Sequence, residues 1–329
     1  MAGRAGDRPG VAAIASHVPA RAVENAELVQ RFGFERAFLE EKIGIERRYV
    51  CAPGEAVSDL AVAAAERLLE AERVPREEIG LLIVCTQNPD YRLPATANLV
   101  QHRLGLATTT AAFDIGQGCS GYVYGLSIAA GLMQANGIRS ALLVTSEAYS
   151  KVQDPADRDT APLFGDGAAA TLLRLGAPGR IGRFAFGSDG SGADELIVRA
   201  GGSRHPDLAC SGAGALRMNG QAIFNFMMRE VPKSVERCLE LNDLTRDEVD
   251  LFVFHQASRY MVEALRGAMR LDPERVPVTL ADGGNTVSST IPMAIETLGG
   301  IRGLAGRRLC LCGFGVGLSW ASTILEVAP

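Results

Sequence analysis

The chain has 329 residues, with 33 Lys and Arg against 38 Asp and Glu, and this slight acidity argues against a nucleic-acid binder. Hydrophobic residues make up 47% and charged residues 22%, as expected of a globular protein with one large domain or two ordinary ones. No stretch reaches about 18 uninterrupted apolar residues, and Arg4, Asp7 and Arg8 occupy the place of a secretory signal's apolar core, so a cytoplasmic protein without a membrane span is expected.

Residues 1–10 read as a flexible leader, and Val11-Ala12-Ala13-Ile14-Ala15 begins a strand. Glu24 to Phe34 and Arg36 to Lys42 read as helices, and Ser58 to Ala71 as an amphipathic helix with Leu60, Ala61, Ala64, Leu68 and Leu69 apolar. Leu81 to Cys85 and Thr110 to Phe113 are short apolar runs of the kind that form buried strands. Asp114-Ile115-Gly116-Gln117-Gly118-Cys119-Ser120-Gly121 then turns on glycines into a helix whose Val123, Leu126, Ile128, Leu132 and Met133 recur near helical spacing. Strands follow at Ala141 to Thr145 and Ala169 to Leu173. Between them Phe164-Gly165-Asp166-Gly167-Ala168 reads as a tight turn.

The second half echoes the first. Arg76-Glu77-Glu78-Ile79-Gly80-Leu81-Leu82-Ile83-Val84-Cys85-Thr86 aligns without a gap with Arg246-Asp247-Glu248-Val249-Asp250-Leu251-Phe252-Val253-Phe254-His255-Gln256. At the same offset Cys119 falls on Ser289, inside another glycine-led turn into an apolar helix. Strands at Leu309 to Gly313 and Ala321 to Leu325 complete the series, so the chain reads as two duplicated α/β halves meeting near Gly176-Ala177-Pro178-Gly179.

Cys119, at a strand-to-helix junction, is the candidate nucleophile, because unpaired N–H groups at a helix start favour a thiolate. His255 lies at a strand end, where α/β proteins place chemistry, and Asn285 lies in Asp282-Gly283-Gly284-Asn285-Thr286. One Cys from one half with His and Asn from the other is a more specific constellation than any member alone. Seven cysteines, with only Cys310 and Cys312 closely spaced, fit neither a disulfide framework nor a zinc site, so reduced thiols and no metal are expected. Gly313-Phe314-Gly315-Val316-Gly317-Leu318 looks like a dinucleotide fingerprint but is followed by a strand, and its glycines suit N–H groups aimed at a ligand oxygen.

These residues resemble the β-ketoacyl-acyl-carrier-protein synthase III family. The resemblance runs from about residue 11 through Gly44-Ile45-Glu46-Arg47, Phe113-Asp114 to Cys119-x-Gly121, Asp154-Pro155-x-Asp157-Arg158, Phe164 to Ala168, His255-Gln256-Ala257, Gly284-Asn285-Thr286 and Phe314-Gly315-x-Gly317-x-x-Trp320. It implies a thiolase fold in five α-β-α-β-α layers, with residues 11–176 as the half bearing the nucleophile, residues 177–329 as the half bearing His and Asn, and a homodimer. It further implies that Cys119 takes an acyl group from acyl-CoA, while His255 and Asn285 hold the malonyl-acyl carrier protein thioester during decarboxylative condensation, with no resident cofactor. The N–H groups of Cys119 and Val316 would form the oxyanion hole. Phe38, Lys42 and Arg158 match positions that meet CoA, Gln221 one near the pantetheine arm, and Leu93 the residue by which a neighbouring subunit closes the acyl pocket.

Ser258, Lys42, Phe38 and Gly116-Gln117-Gly118 depart from the family's usual residues, which points as readily to a specialised polyketide or modified fatty-acid pathway as to bulk synthesis. Acyl transfer without decarboxylation from Cys119 to an alcohol, amine or other acceptor, with His255 as base, is the alternative chemistry. A silent scaffold would not need all three of Cys119, His255 and Asn285. The usual basic patch for the carrier protein is missing, since Asn225, Tyr260 and Gly267 occupy its positions. A helix over residues 257–271 would instead place Arg259, Arg266 and Arg270 on one face.

Overall fold

The computed structural model describes residues 8–206 and 215–329; most of the expected leader, residues 1–7, lies outside the described residues. In chain order, the first elements are β1 (Pro9–His17), β2 (Arg21–Glu24), α1 (Asn25–Phe32), β3 (Arg47–Val50), α2 (Val57–Ala71), β4 (Leu81–Cys85), α3 (Thr96–Arg103), β5 (Ala111–Ile115), α4 (Gly121–Asn136), β6 (Ser140–Glu147) and β7 (Gly167–Leu175). They are followed by β8 (Gly179–Ser188), β9 (Leu196–Ile197), β10 (Arg217–Met218), α5 (Gly220–Leu241), β11 (Leu251–Phe254), α6 (Arg259–Met269), β12 (Asp282–Gly283), α7 (Thr290–Thr297), α8 (Gly300–Gly303), β13 (Arg308–Gly315) and β14 (Ser319–Val327). β1 begins inside the expected leader. The helix expected up to Phe34 stops at Phe32, where Gly33 takes a left-handed cap at φ 69°, and the one expected over residues 36–42 is mainly a π-helical turn, Phe38–Ile43.

The duplication is visible in the sheet, whose order is β11-β13-β14-β8-β1-β7-β6-β4-β5. β4 runs parallel to β6 as β11 does to β13, and the antiparallel steps β6-β7-β1 are matched by β13-β14-β8. The half-sheets join edge to edge at Gly10↔Arg180 and Val11↔Gly179.

Strand alternation builds the layers. Leu81 and Ile83 point to one side of β4, and Leu82 and Val84 to the other; Val253 points away from Phe252 and Phe254 in β11. The apolar side chains therefore fall into three cores separated by the two half-sheets. One outer core packs α2 and α3 on the first half-sheet, and the other packs α5 and α6 on the second. The middle core is shared, with Val123, Leu126 and Met133 of α4 and Ile291 and Ile295 of α7 between Leu81, Ile83 and Leu143 on one side and Leu309, Leu311 and Leu325 on the other. Five α-β-α-β-α layers result, and both central helices start at the seam. No helix among the described residues is long and apolar enough to cross a membrane.

Candidate active site

Cys119 lies in the loop between β5 and α4 and is 5% exposed. The end of β13 presses on this loop: a Cβ on Gly315 would stand 3.0 Å from Cys119 Sγ, so only glycine lets the strand come this close. The approach brings the Val316 N–H, with that of Cys119 itself, to the sulfur. The helix start does not make this thiol acidic, contrary to expectation. Burial, reinforced by Glu147, pushes it up to about 12 against the opposing pull of those two N–H groups. The helix begins two residues later, and the desolvation of a buried sulfur outweighs its end dipole. At neutral pH the nucleophile rests as a thiol.

His255 follows β11 directly and continues its ladder, donating its N–H to the Cys312 carbonyl at 2.8 Å. Its ring stands edge-on to Phe314 with centroids 5.5 Å apart, and Nδ1 lies 2.7 Å from Thr290 Oγ1. Burial lowers its pKa to about 3, with the Val287 backbone opposing, so the imidazole is neutral across the physiological range.

Asn285 is held by Phe164-Gly165, the stretch expected to be a tight turn. That stretch instead runs extended into β7 and pairs with Asn285 as a parallel bridge. Asn285 N–H donates to the Leu163 carbonyl at 2.9 Å, and its own carbonyl accepts from Gly165 N–H at 3.1 Å. Its side-chain Oδ1 accepts from Val287 N–H at 2.9 Å, which commits the oxygen and leaves the amide NH2 to donate. Val287 itself has φ 55°, a left-handed conformation that a β-branched residue rarely adopts.

Cys119, His255 and Asn285 meet in one cavity of about 310 Å³, with Gln221, Tyr260 and Ile43 also in its lining. Phe38 and Arg158 meet on the Phe34 ring, and Lys42 lies over the separate Tyr260 ring. Phe38 stacks on Phe34 at 5.8 Å, Arg158 lies over Phe34 at 5.2 Å, and Lys42 Nζ lies 5.5 Å from the Tyr260 ring centre. Phe38 is 38% exposed, as a ring-stacking platform needs to be. Gln221 Nε2 donates to Asn225 Oδ1 at 2.9 Å. Leu93 is not brought to this cavity; it is 82% exposed on the loop between β4 and α3.

The arginine face is shorter than expected. α6 spans Arg259–Met269, and Arg270 leaves the helical path with φ 53° as a left-handed cap. Arg259 lies half-buried against Gly44, while Arg266 is half-buried and Arg270 exposed.

The sequence reading missed the polar groups behind the nucleophile. Glu147, at the end of β6, is fully buried; it accepts from Gln87 N–H at 3.1 Å and Ser288 Oγ at 3.0 Å, bridging the two halves. A lone acid at the end of an apolar strand run was the available signal. Burial raises its carboxyl to about 8, so the folded state holds a proton that the unfolded chain gives up near the ordinary value of 4.5. This contribution to stability is complete below pH 4.5 and is lost as pH rises through 8. Glu147→Gln should therefore gain stability relative to the parent between pH 5 and 8, as read from urea midpoints; an unchanged difference across that range would show the carboxyl is already ionised in the fold.

The family described as 3-oxoacyl-[acyl-carrier-protein] synthase III matches residues 113–190, and its C-terminal counterpart matches residues 239–327. A β-ketoacyl-[acyl-carrier-protein] synthase III of Streptomyces coelicolor is 36% identical over 321 residues, covering 95% of each chain. The chain belongs to the β-ketoacyl-acyl-carrier-protein synthase III family. Among solved synthase III structures, one superimposes with a TM-score of 0.93 at 42% identity, covering 97% of this chain and 99% of the other. The priming β-ketosynthase of the R1128 polyketide pathway superimposes at 0.89 with 30% identity, covering 100% of this chain and 99% of the other. The thiolase fold of the synthase III family thus accounts for the duplicated sheet and the seam on which Cys119, His255 and Asn285 meet.

Proposed function

We propose that this chain is an acyltransferase that loads an acyl group from acyl-CoA onto Cys119 and condenses it with malonyl-acyl carrier protein to give a 3-oxoacyl product. The observation that carries this reading is the convergence of a buried thiol, a neutral imidazole and an asparagine with a free amide in one cavity. In the first half-reaction the sulfur attacks the thioester carbonyl, the Cys119 and Val316 N–H groups hold the oxyanion, and CoA leaves as a thiol with the displaced proton. In the second, the malonyl thioester loses carbon dioxide and its oxygen takes up negative charge. This step requires the His255 tautomer that carries its proton on Nε2, in which the Thr290 hydroxyl turns from the Val287 carbonyl, 3.1 Å away, to donate to Nδ1; His255 Nε2–H and the Asn285 NH2 are then two neutral donors for that enolate. The enolate carbon attacks the acyl carbonyl, and Cys119 leaves as a thiolate that recovers a proton.

On this reading Phe38, Lys42, Arg158 and Gln221 receive CoA, and no resident cofactor takes part. Residues 11–176 and 177–329 are the two thiolase-like halves. Leu93 closes the acyl pocket of a homodimer partner, and a residue this small admits a longer or branched acyl group. The enzyme works in the cytoplasm, in fatty-acid or specialised polyketide synthesis. Intact-mass measurement after incubation with acyl-CoA, with and without malonyl-carrier protein, tests the reading: an adduct and carbon dioxide release are both required, and an adduct alone points to transfer onto another acceptor.

Arg259, Arg266 and Arg270 are the proposed landing for the acidic carrier protein. Arg259 packs on Gly44, the cap of the Phe38–Ile43 segment, and its neighbour Tyr260 lines the cavity. Arg266→Glu with Arg270→Glu should raise the Michaelis constant for malonyl-carrier protein severalfold, more at low salt, without affecting acylation by free acyl-CoA. Unchanged carrier kinetics would place the docking surface elsewhere.

A further inference from the structure

If Cys119 carries the acyl group, as proposed above, that group must leave room for a second thioester, because Cys119, His255, Asn285 and Gln221 line one cavity. The acyl chain has to turn away from the mouth. Cys119 belongs to one apolar cluster with Tyr149, Phe164, Leu196 and Leu216, of which Phe164 and Leu196 line the same cavity. Leu196 also lines a second cavity of about 800 Å³, together with Gln87, Tyr149 and Val316, and Tyr91 and Arg92 beside Leu93 stand at it as well. A chain that runs from the sulfur past Leu196 into this wider space would meet Tyr149 and Gln87, which line it.

These two groups are polar. Tyr149 is 4% exposed, its ring centre is 4.9 Å from that of Phe164, and its hydroxyl donates to Gln87 Oε1 at 2.6 Å. Gln87 reaches the nucleophile loop: a Cβ on Gly118, next to Cys119, would stand 2.5 Å from Oε1. The Gln87 backbone is pinned by its N–H to Glu147 at 3.1 Å. With Oε1 engaged, Gln87 Nε2 makes no hydrogen bond among the described residues.

We propose that the Tyr149–Gln87 pair is a specificity element that favours acyl groups carrying an oxygen at its depth and disfavours plain alkyl chains that run past it. An alkyl chain displaces water from the Gln87 amide and returns no partner, whereas a substrate hydroxyl or keto oxygen accepts from Nε2. The larger volume beyond the pair is then open to chains that satisfy this condition.

The test is single-turnover acylation of the full chain, followed by intact mass, with CoA thioesters paired by chain length. Butyryl- and hexanoyl-CoA are compared with their 3-, 4- and 5-hydroxy counterparts where the chain allows. One hydroxyl position should acylate about tenfold faster than its plain partner, and Gln87→Leu and Tyr149→Phe should bring that ratio close to one. Equal rates within every pair in the parent protein overturn the inference, as does a preference that survives both substitutions. Absence of any adduct, with Cys119 still alkylated by iodoacetamide, is a different result: it removes the proposed function and this inference with it.

Discussion

Cys119→Ala is expected to give a folded protein that accumulates no acyl adduct from acyl-CoA, a loss of about three orders of magnitude or more in acylation rate. The side chain is buried, and removing one sulfur leaves a void smaller than the deletions that unfold cores, so secondary structure and thermal midpoint should stay close to those of the parent. No neighbouring thiol can substitute for it. Cys85 is fully buried with its pKa raised well above the ordinary thiol range by desolvation, and its Sγ already donates to the Gln117 carbonyl at 3.2 Å. An adduct of normal stoichiometry in the variant, mapped by peptide mass, would move the nucleophile to another residue.

The second large effect separates the half-reactions. His255→Ala and Asn285→Ala should each acylate within severalfold of the parent but release carbon dioxide from malonyl-carrier protein about 100- to 1,000-fold more slowly, the usual cost of removing one donor to a developing oxyanion. Neither side chain is needed to hold the first oxyanion, since Cys119 already has two backbone N–H groups at its sulfur. If both half-reactions fall together, His255 acts as a base on Cys119 and the chemistry is simple acyl transfer.

Some of this was legible in residue order and some was not. Leu81 to Cys85 forms β4 with the bounds that its apolar run gave, and its echo at Leu251 to Phe254 forms β11 at the matching place in the second half-sheet. Cys119, His255 and Asn285 were found because each sits at a strand end or a glycine-led turn, features that short-range pattern records. What escaped depends on contacts between distant segments. Phe164-Gly165-Asp166 has hairpin-turn residues, yet its partner is Asn285, and Asp166 accepts from Cys51 N–H at 2.8 Å and Ser150 N–H at 2.9 Å. The Cys119 thiol was expected to be acidic because the helix start is local, while the burial that overrides it comes from β13 folding across the loop. Arg270 was assigned to a helix face because nothing in the run Leu265 to Leu271 signals a left-handed cap.

The seam between the halves has a consequence for how the protein is made. Every group that meets Cys119 at the reacting centre comes from late in the chain: His255, Asn285 and the Val316 N–H all lie in the last quarter. The core that supports them is unfinished until α7, β13 and β14 pack against α4. A nascent chain leaving the ribosome with its first 200 residues thus carries the thiol and its own N–H but neither the Val316 N–H that follows β13 nor the enolate donors His255 and Asn285. A chain truncated before β13 would lack both the Val316 N–H and the strands that complete the middle core.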